Sequence, residues 1–394
     1  MTNTRSLAAY YLWYFVAVGI LEPYLTPLWR EFGLSAADIG LLNAIMPGVA
    51  TVAPFLWTAY ADATRGGDRI FLWTTWLSAL AALALPNARR FVPAALGIFC
   101  LAVFRTPLIP LANSMTFRAL KDRPQRYAAI RLWGTVGYIL AAVGGGAVMD
   151  RLGLRLGMYG AALSMATCGL VAWAGRGRDR VRLVPAGLRE ILESLRDRRL
   201  GVLVTATALA WVSYGPYGTF YTIHLEGLGF SRAFAGVAWA LAAASELVVM
   251  LLWPRMCVWA TPRTWLVVAL CMHPVRWLLS SVASGPGFLL AIQLTHAFTF
   301  GVFYLAAVQL VQGLAPEGLR ATAQGVFASA TFGVGGLVGN GLGGALYEPL
   351  GMRALYVASA LVASGGIVLY TLGSRGDDRG ARATPPTTIH GERQ

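Results

Sequence analysis

An all-α membrane protein of twelve transmembrane helices, arranged as two six-helix repeats with both termini cytoplasmic, is the fold class this sequence predicts. Apolar stretches of about 20 residues, the length at which an α-helix crosses the roughly 30 Å hydrocarbon layer, recur along almost the whole chain. The composition is 57% hydrophobic and only 13% charged, with a mean hydropathy of +0.59. That is more apolar surface than a soluble protein could hide. A segment beginning at Gly19 is also echoed by one beginning at Gly215.

The spans fall in order near residues 7–29, 36–60, 70–86, 91–114, 127–149, 155–174, 200–223, 233–254, 263–283, 287–312, 320–345 and 351–372. They are helices because stretches such as LAALALP and VLVTATALAWV lack the period-two alternation of barrel strands. The first span carries Glu22 and has no small-residue cleavage site, so it reads as a retained helix rather than a signal peptide.

The connections alternate in charge. One side collects Arg65, Arg69, Arg118, Lys121, Arg123, Arg126, the run from Arg176 to Arg199, Arg255, Arg263 and Arg320. The other holds Arg30, Arg89, Arg90, Arg151, Arg155, Arg232 and Arg353. By the positive-inside rule the first side, with both termini, is cytoplasmic. This distribution accounts for the net charge of +14 without a nucleic-acid partner, since the bases form no single face interleaved with aromatics. The expected partners are the lipid bilayer and a small-molecule substrate, with the chain acting as a monomer in the cell inner membrane. Cys100, Cys168, Cys257 and Cys271 all lie in spans without CxxC spacing, so neither a disulfide, a metal nor another cofactor is expected.

The longest polar connection divides the chain into an N-terminal six-helix half at 1–174, a cytoplasmic amphipathic linker at 175–199, a C-terminal half at 200–372 and a disordered cytoplasmic tail at 373–394. Within the linker Leu188, Ile191, Leu192 and Leu195 share one helical face, as in a helix lying on the membrane surface. The echoed segments match at Gly19/Gly215, Gly33/Gly229, Ser35/Ser231 and Gly40/Gly236, a constant offset that points to duplication and to a cavity between the halves.

Ionisable side chains at membrane depth cost several kcal/mol unless paired or wetted, which makes each a functional candidate. They are Glu22, Arg105, Arg131, Glu246, Arg276 and His296. From the helical rise, Glu246 lies about 3 Å inside the midplane, and Arg276 and His296 about 6 and 4 Å outside it. An acid, a guanidinium and an imidazole in one layer suit a proton-coupling site, with Arg276 favouring ionised Glu246 and burial favouring its protonated form. A static salt bridge fixing helix packing is the bland alternative. Arg105 and Glu22, about 3 Å inside and 6 Å outside the midplane, are either mutual counter-ions or substrate ligands. Arg131, about 10 Å to the cytoplasmic side, either snorkels or contacts substrate through two donors. Trp13, Tyr24, Trp133, Tyr138, Tyr214, Tyr217 and Trp277 could stack on a ring, although each is individually a packing residue by default.

Enzymatic and nucleotide-driven readings find little support. There is no HExxH and no GxSxG in a loop, and the Gly333–Gly344 run lacks a P-loop lysine, the chain's sole lysine being Lys121. Those glycines at four-residue spacing fit close helix packing.

Several segments resemble the major facilitator superfamily, and within it the proton-symporter branch that contains lactose permease and the phenylpropionate permeases. RLWGTVGY from Arg131, SEL at Ser245–Leu247, VRW at Val275–Trp277 and THAFTF at Thr295–Phe300 look like its fifth-, eighth-, ninth- and tenth-helix segments. The resemblance implies the major facilitator fold and alternating access. It places Glu246, Arg276 and His296 on the family's coupling acid, arginine and histidine, and Arg131 on its substrate-binding arginine. Where the sugar permease has a second acid after the histidine this chain has Thr299, and where it has an acid partner for the fifth-helix arginine this chain has Asn113. TAYADATRGGDR resembles a degraded form of the loop signature between the second and third helices, with Asp62 as a gating acid.

The expected function is therefore secondary active transport with a proton as coupling ion: symport of a small organic solute, an aromatic carboxylate before a nucleoside or sugar. Glu246, Arg276 and His296 would couple the proton, and Glu22, Arg105, Asn113, Arg131, Gln293 and Thr299 would bind the solute. A drug/proton antiporter using Glu22 and, further off, an intramembrane enzyme or sensor remain as alternatives.

Overall fold

The structure, a computed structural model, describes residues 4–64, 67–120, 126–175, 197–316 and 319–374. The linker helix expected around 188–195 and the tail from 375 onward lie outside the described residues. Helices α1 (Thr4–Glu31), α2 (Ala36–Thr64), α3 (Gly67–Ala84), α4 (Phe91–Arg105), α5 (Leu108–Leu120), α6 (Tyr127–Leu152) and α7 (Leu154–Ala174) form a first group. A second group follows, comprising α8 (Arg198–Gly227), α9 (Arg232–Trp259), α10 (Pro262–Val282), α11 (Pro286–Gln293), α12 (Phe303–Leu314), α13 (Arg320–Ala328) and α14 (Gly335–Gly373). π-Helical turns at Ala297–Val302 and Ser329–Val334 lead into α12 and α14, and Gly351 (φ 72°, ψ 164°) breaks α14 into two rods.

Nine helical stretches among the described residues are long and apolar enough to cross a bilayer. Neither α1 nor α8 is among them, although they run to 28 and 30 residues. The reason is location. Tyr10, Tyr11, Tyr24 and Trp29 of α1 and Thr207, Ser213, Tyr217 and Tyr221 of α8 are all buried in protein. A helix that touches protein on most sides can carry hydroxyls and rings that lipid would exclude. The predicted spans agree with the helices to within several residues, the helices running longer because helical hydrogen bonding does not stop where the hydrocarbon does.

The repeat seen in the sequence has a geometric counterpart. Gly33 and Gly229 both take positive φ (81° and 88°) where α1 and α8 end, a conformation that glycine adopts without Cβ strain. At that end of the bundle the two groups meet along two seams, α2 against α14 and α6 against α9. The seams are closed by equivalent caps. Asp150, near the end of α6, accepts from the backbone N–H groups of Arg232 (3.0 Å) and Ala233 (2.9 Å) at the start of α9. Glu348 of α14 accepts from the backbone N–H of Ala36 (3.1 Å) at the start of α2. Each carboxylate thus satisfies the unpaired donors of a helix in the other group and lies against its positive dipole end. Arg232 adds bonds to Glu226 (2.8 Å) and Glu31 (2.5 Å), and Arg30 one to Glu348 (3.2 Å).

The core follows the same division. Tyr24, Leu28 and Trp29 belong to one continuous buried cluster with Ala235, Ala238 and Trp239, so the first end is sealed across both groups. Toward the other end Leu203, Trp253, Leu266 and Phe303 form a separate cluster within the second group. Among the described residues the molecule is sealed across both groups at one end, while at the other the second group keeps a core of its own. Removing both caps in the double variant Asp150→Ala, Glu348→Ala is expected to shift the molecule toward opening at the sealed end. At about 1 kcal/mol per cap, about 2 kcal/mol for the pair, the equilibrium moves by roughly thirtyfold. Spin labels at exposed Arg90 and Ser284, one on each group at the sealed end, should report a longer-distance population, and an unchanged distance distribution would remove the caps from this role.

Candidate functional site

The groups enclose a central cavity of about 530 Å³. Its two walls differ in chemistry. From the first group come Glu22 and Phe15 of α1, Met46 of α2, Arg105 of α4, and Arg131, Thr135 and Tyr138 of α6. The second group supplies Trp211, Tyr214, Trp239, Glu246, His296 and Phe300. Thus the first wall holds both lining guanidinium groups, and the second holds most of the large rings with one acid and one imidazole. Trp211 and Tyr214 stack at 4.6 Å with 6° between their planes, and His296 stacks on Phe300 at 5.4 Å.

Behind the second wall Arg276 of α10 is fully buried. Its Nη1 donates to His296 Nδ1 (2.9 Å) and Thr299 Oγ1 (2.7 Å), and its Nη2 donates to Gln293 Oε1 (3.1 Å). The guanidinium also lies over the Tyr217 ring at 4.5 Å and the Trp277 ring at 5.2 Å. No carboxylate contacts it among the described residues; hydrogen bonds and ring faces carry the charge instead. Gln293 is fixed in turn, accepting from the Tyr217 hydroxyl (2.7 Å) and donating to that of Tyr221 (2.7 Å).

This arrangement sets the state of the imidazole. A guanidinium can only donate, so Nδ1 of His296 must accept and the ring's single hydrogen lies on Nε2. Nε2 faces Glu246 Oε2 at 4.0 Å. The three residues therefore form a line, Glu246 to His296 to Arg276, with the imidazole between acid and guanidinium. The sequence expectation had Arg276 acting directly on Glu246; the structure interposes His296. The local cause is a break in regular helix, since α11 stops at Gln293 and a π-helical turn begins at Ala297. The wide turn presents His296 and Thr299 to the same Nη1.

The other expected site residues divide. Glu22, Arg105 and Arg131 line the cavity. Gln293 and Thr299, expected as solute ligands, do not line it; both are buried on Arg276. Asn113 does not line it either, because its Oδ1 accepts from the hydroxyls of Tyr11 (2.7 Å) and Tyr127 (3.0 Å). Asn113, which stands where the resembled family has an acid partner for Arg131, is thus turned to tyrosines, and rings lie beside the Arg131 guanidinium, Phe15 at 4.1 Å and Tyr11 at 5.5 Å. Glu22 and Arg105 are not in ion-pair contact; the Nη2 of Arg105 meets the Met46 sulfur at 2.6 Å. Asp62 falls in the last turns of α2, and its side chain lies outside the described residues.

The sequence reading missed His273, Trp211, Trp239, Phe15 and Phe300. His273 is buried one turn before Arg276 with Nδ1 on the Ala269 carbonyl (2.9 Å) and was legible as a histidine within a span. The rings carried no signal, because nothing in an isolated span separates a cavity ring from a lipid-facing one.

The MFS_1 like family model matches residues 4–358. This chain belongs to the MFS_1 like family, within the major facilitator superfamily. It is 25% identical over 370 residues to the maltose permease of Geobacillus stearothermophilus, covering 92% of each chain. It is 27% identical over 380 residues to a probable 3-phenylpropionic acid transporter of Escherichia coli (strain K12), covering 92% of this chain and 96% of the relative. The crystal structure of the nucleoside transporter NupG has the same fold, with a TM-score of 0.84 at 16% identity over 95% of this chain and 100% of that one. As an MFS_1 like protein the chain is a multi-pass membrane transporter and not an enzyme. Within this MFS_1 like protein the cavity between the helix groups is the candidate transport site.

Proposed function

We propose that this protein is a proton-coupled symporter of a small aromatic carboxylate in the cell inner membrane. Twelve spans carry out alternating access in a monomer with both termini cytoplasmic, and the sealed end described above faces outward. The observation that carries this reading is the unequal cavity. Guanidinium groups from one wall, Arg131 with Arg105, suit the anionic end of a solute, and the rings of the other wall suit an aromatic body. Glu246 takes the coupled proton, because His296 is held by Arg276 in the form whose hydrogen points at that acid. Charge bookkeeping agrees with an anion. Three buried or lining arginines exceed the two acids, and a monoanion arriving with one proton leaves the summed charge of the carrier as it was when empty, so neither limb of the cycle carries excess charge through the membrane. The resemblance to a probable 3-phenylpropionic acid transporter points the same way.

The test is uptake of labelled 3-phenylpropionate into energised vesicles. Wild type should accumulate it, an uncoupler should abolish accumulation, and Glu246→Gln should lose accumulation while retaining exchange of internal for external solute. Accumulation that survives both the uncoupler and Glu246→Gln would sink the proton role of this acid.

A further inference from the structure

Among the described residues Glu22 is the one lining acid of the first wall, and it is exposed to the cavity although it lies at membrane depth. Packing does not explain a side chain that faces open space. Its place relative to Arg131 is set by two neighbouring helices. On α6 the lining residues Arg131, Thr135 and Tyr138 follow at i, i+4 and i+7, one face of the helix. On α1 Phe15 lies against the Arg131 guanidinium at 4.1 Å, and Glu22, seven residues further, lines the cavity with Tyr138. Both helices therefore separate an Arg131 level from a Glu22 level by seven residues, or about 10 Å. Across from this stripe stand the stacked Trp211 and Tyr214. The groups acting on Glu22 are Arg105, Tyr138, Tyr14, Tyr214 and Glu246. Arg105 is the cation that shares the first wall with Glu22 at this level of the cavity.

We infer that Glu22 is a specificity-determining residue that accepts a hydrogen bond from a hydroxyl at the far end of the solute, so that the substrate class is a hydroxylated aromatic monocarboxylate spanning from Arg131 to Glu22. Carboxylate and para-hydroxyl of a phenylpropanoid-sized acid are about as far apart as the two levels once side-chain reach is included. The consequence for selectivity is asymmetric. A site built to bind a hydroxyl discriminates strongly against the analogue that lacks it, because an acceptor that the bound solute shuts off from water is then left without a donor. This inference rests on the aromatic-carboxylate reading above.

Uptake by reconstituted full-length protein would be compared for 3-(4-hydroxyphenyl)propionate, 3-phenylpropionate and 3-(4-methoxyphenyl)propionate, in wild type and Glu22→Leu. Wild type should favour the hydroxylated acid by at least about tenfold over both others in uptake at low concentration. The methoxy compound keeps the oxygen and adds bulk but has no donor. In Glu22→Leu, whose side chain cannot accept a hydrogen bond, the ratio of hydroxylated to plain acid, read in uptake and in equilibrium binding, should fall from at least about tenfold to about one, and thermal denaturation of the purified variant shows that it is folded. Equal uptake of the hydroxylated and plain acids by wild type overturns the inference and leaves the carboxylate reading standing, as does a preference that persists in Glu22→Leu. If none of the three acids accumulates, the carboxylate reading falls and the inference falls with it.

Discussion

Arg276→Met is expected to leave the protein folded and abolish concentrative transport. The substitution removes three charge-assisted hydrogen bonds, to His296, Thr299 and Gln293, each worth about 1.5–3 kcal/mol. It also removes a guanidinium whose burial costs several kcal/mol. These terms oppose one another and are of similar size, so thermal stability should change little. Transport has no such compensation. Once the guanidinium is gone, His296 Nδ1 is free to take a proton, and the imidazolium so formed would pair with Glu246 across 4.0 Å and hold the acid ionised. Accumulation should fall by about a hundredfold, which corresponds to about 3 kcal/mol, the upper range for one charge-assisted bond. Arg276→Lys should not rescue it, since a single ammonium cannot reproduce the planar fork that reaches three acceptors. Thermal denaturation and solute accumulation measured on the same preparation check both halves, and wild-type accumulation by Arg276→Met would show that the tautomer of His296 is not what matters.

The second large effect is steric. A Cβ on Gly40 of α2 would lie 2.5 Å from Gly344 Cα, and the seam between α6 and α9 has the same character, with Gly236 against the Ala142 backbone. Carbon atoms need about 3.5–4.0 Å, and the obstacle is main chain, which has no alternative rotamer. The seam must part by about 1 Å or more, which also pulls the Glu348 carboxylate off the Ala36 N–H. Gly40→Val and Gly236→Val should therefore prevent closure of the sealed end and reduce turnover by about a hundredfold or more, with the Arg90–Ser284 label distance widened. Gly341→Ala is the control: a Cβ there meets nothing within 4 Å, and the variant should transport normally. Normal turnover in both valine variants would mean that close approach at these seams is not part of the cycle.

Much of this molecule could be read along the chain. Spans declare themselves because each must bury its own backbone polar groups within an apolar run of fixed length, a requirement met locally. The repeat was visible for a related reason, since Gly33/Gly229 and Gly40/Gly236 answer backbone demands that no other residue meets as well. Glu22, Arg105, Arg131, Glu246, Arg276 and His296 stood out because charge in hydrocarbon is costly wherever it occurs. Partnership was a different matter. Depth along an axis told that Arg276, His296 and Glu246 share a layer, but not that the imidazole stands between the other two, nor that Gln293 and Thr299 serve the guanidinium while Asn113 serves two tyrosines. Azimuth decides those contacts, and azimuth depends on how helices from distant parts of the chain rotate against each other and on a π-helical turn that shifts every later residue. The cavity's division into a guanidinium wall and an aromatic wall is of the same kind. Sequence alone determined which residues carry charge or rings and roughly how deep they lie, because those are local costs; the tertiary structure decided which of them face one another, because only packing brings residues hundreds of positions apart to one surface.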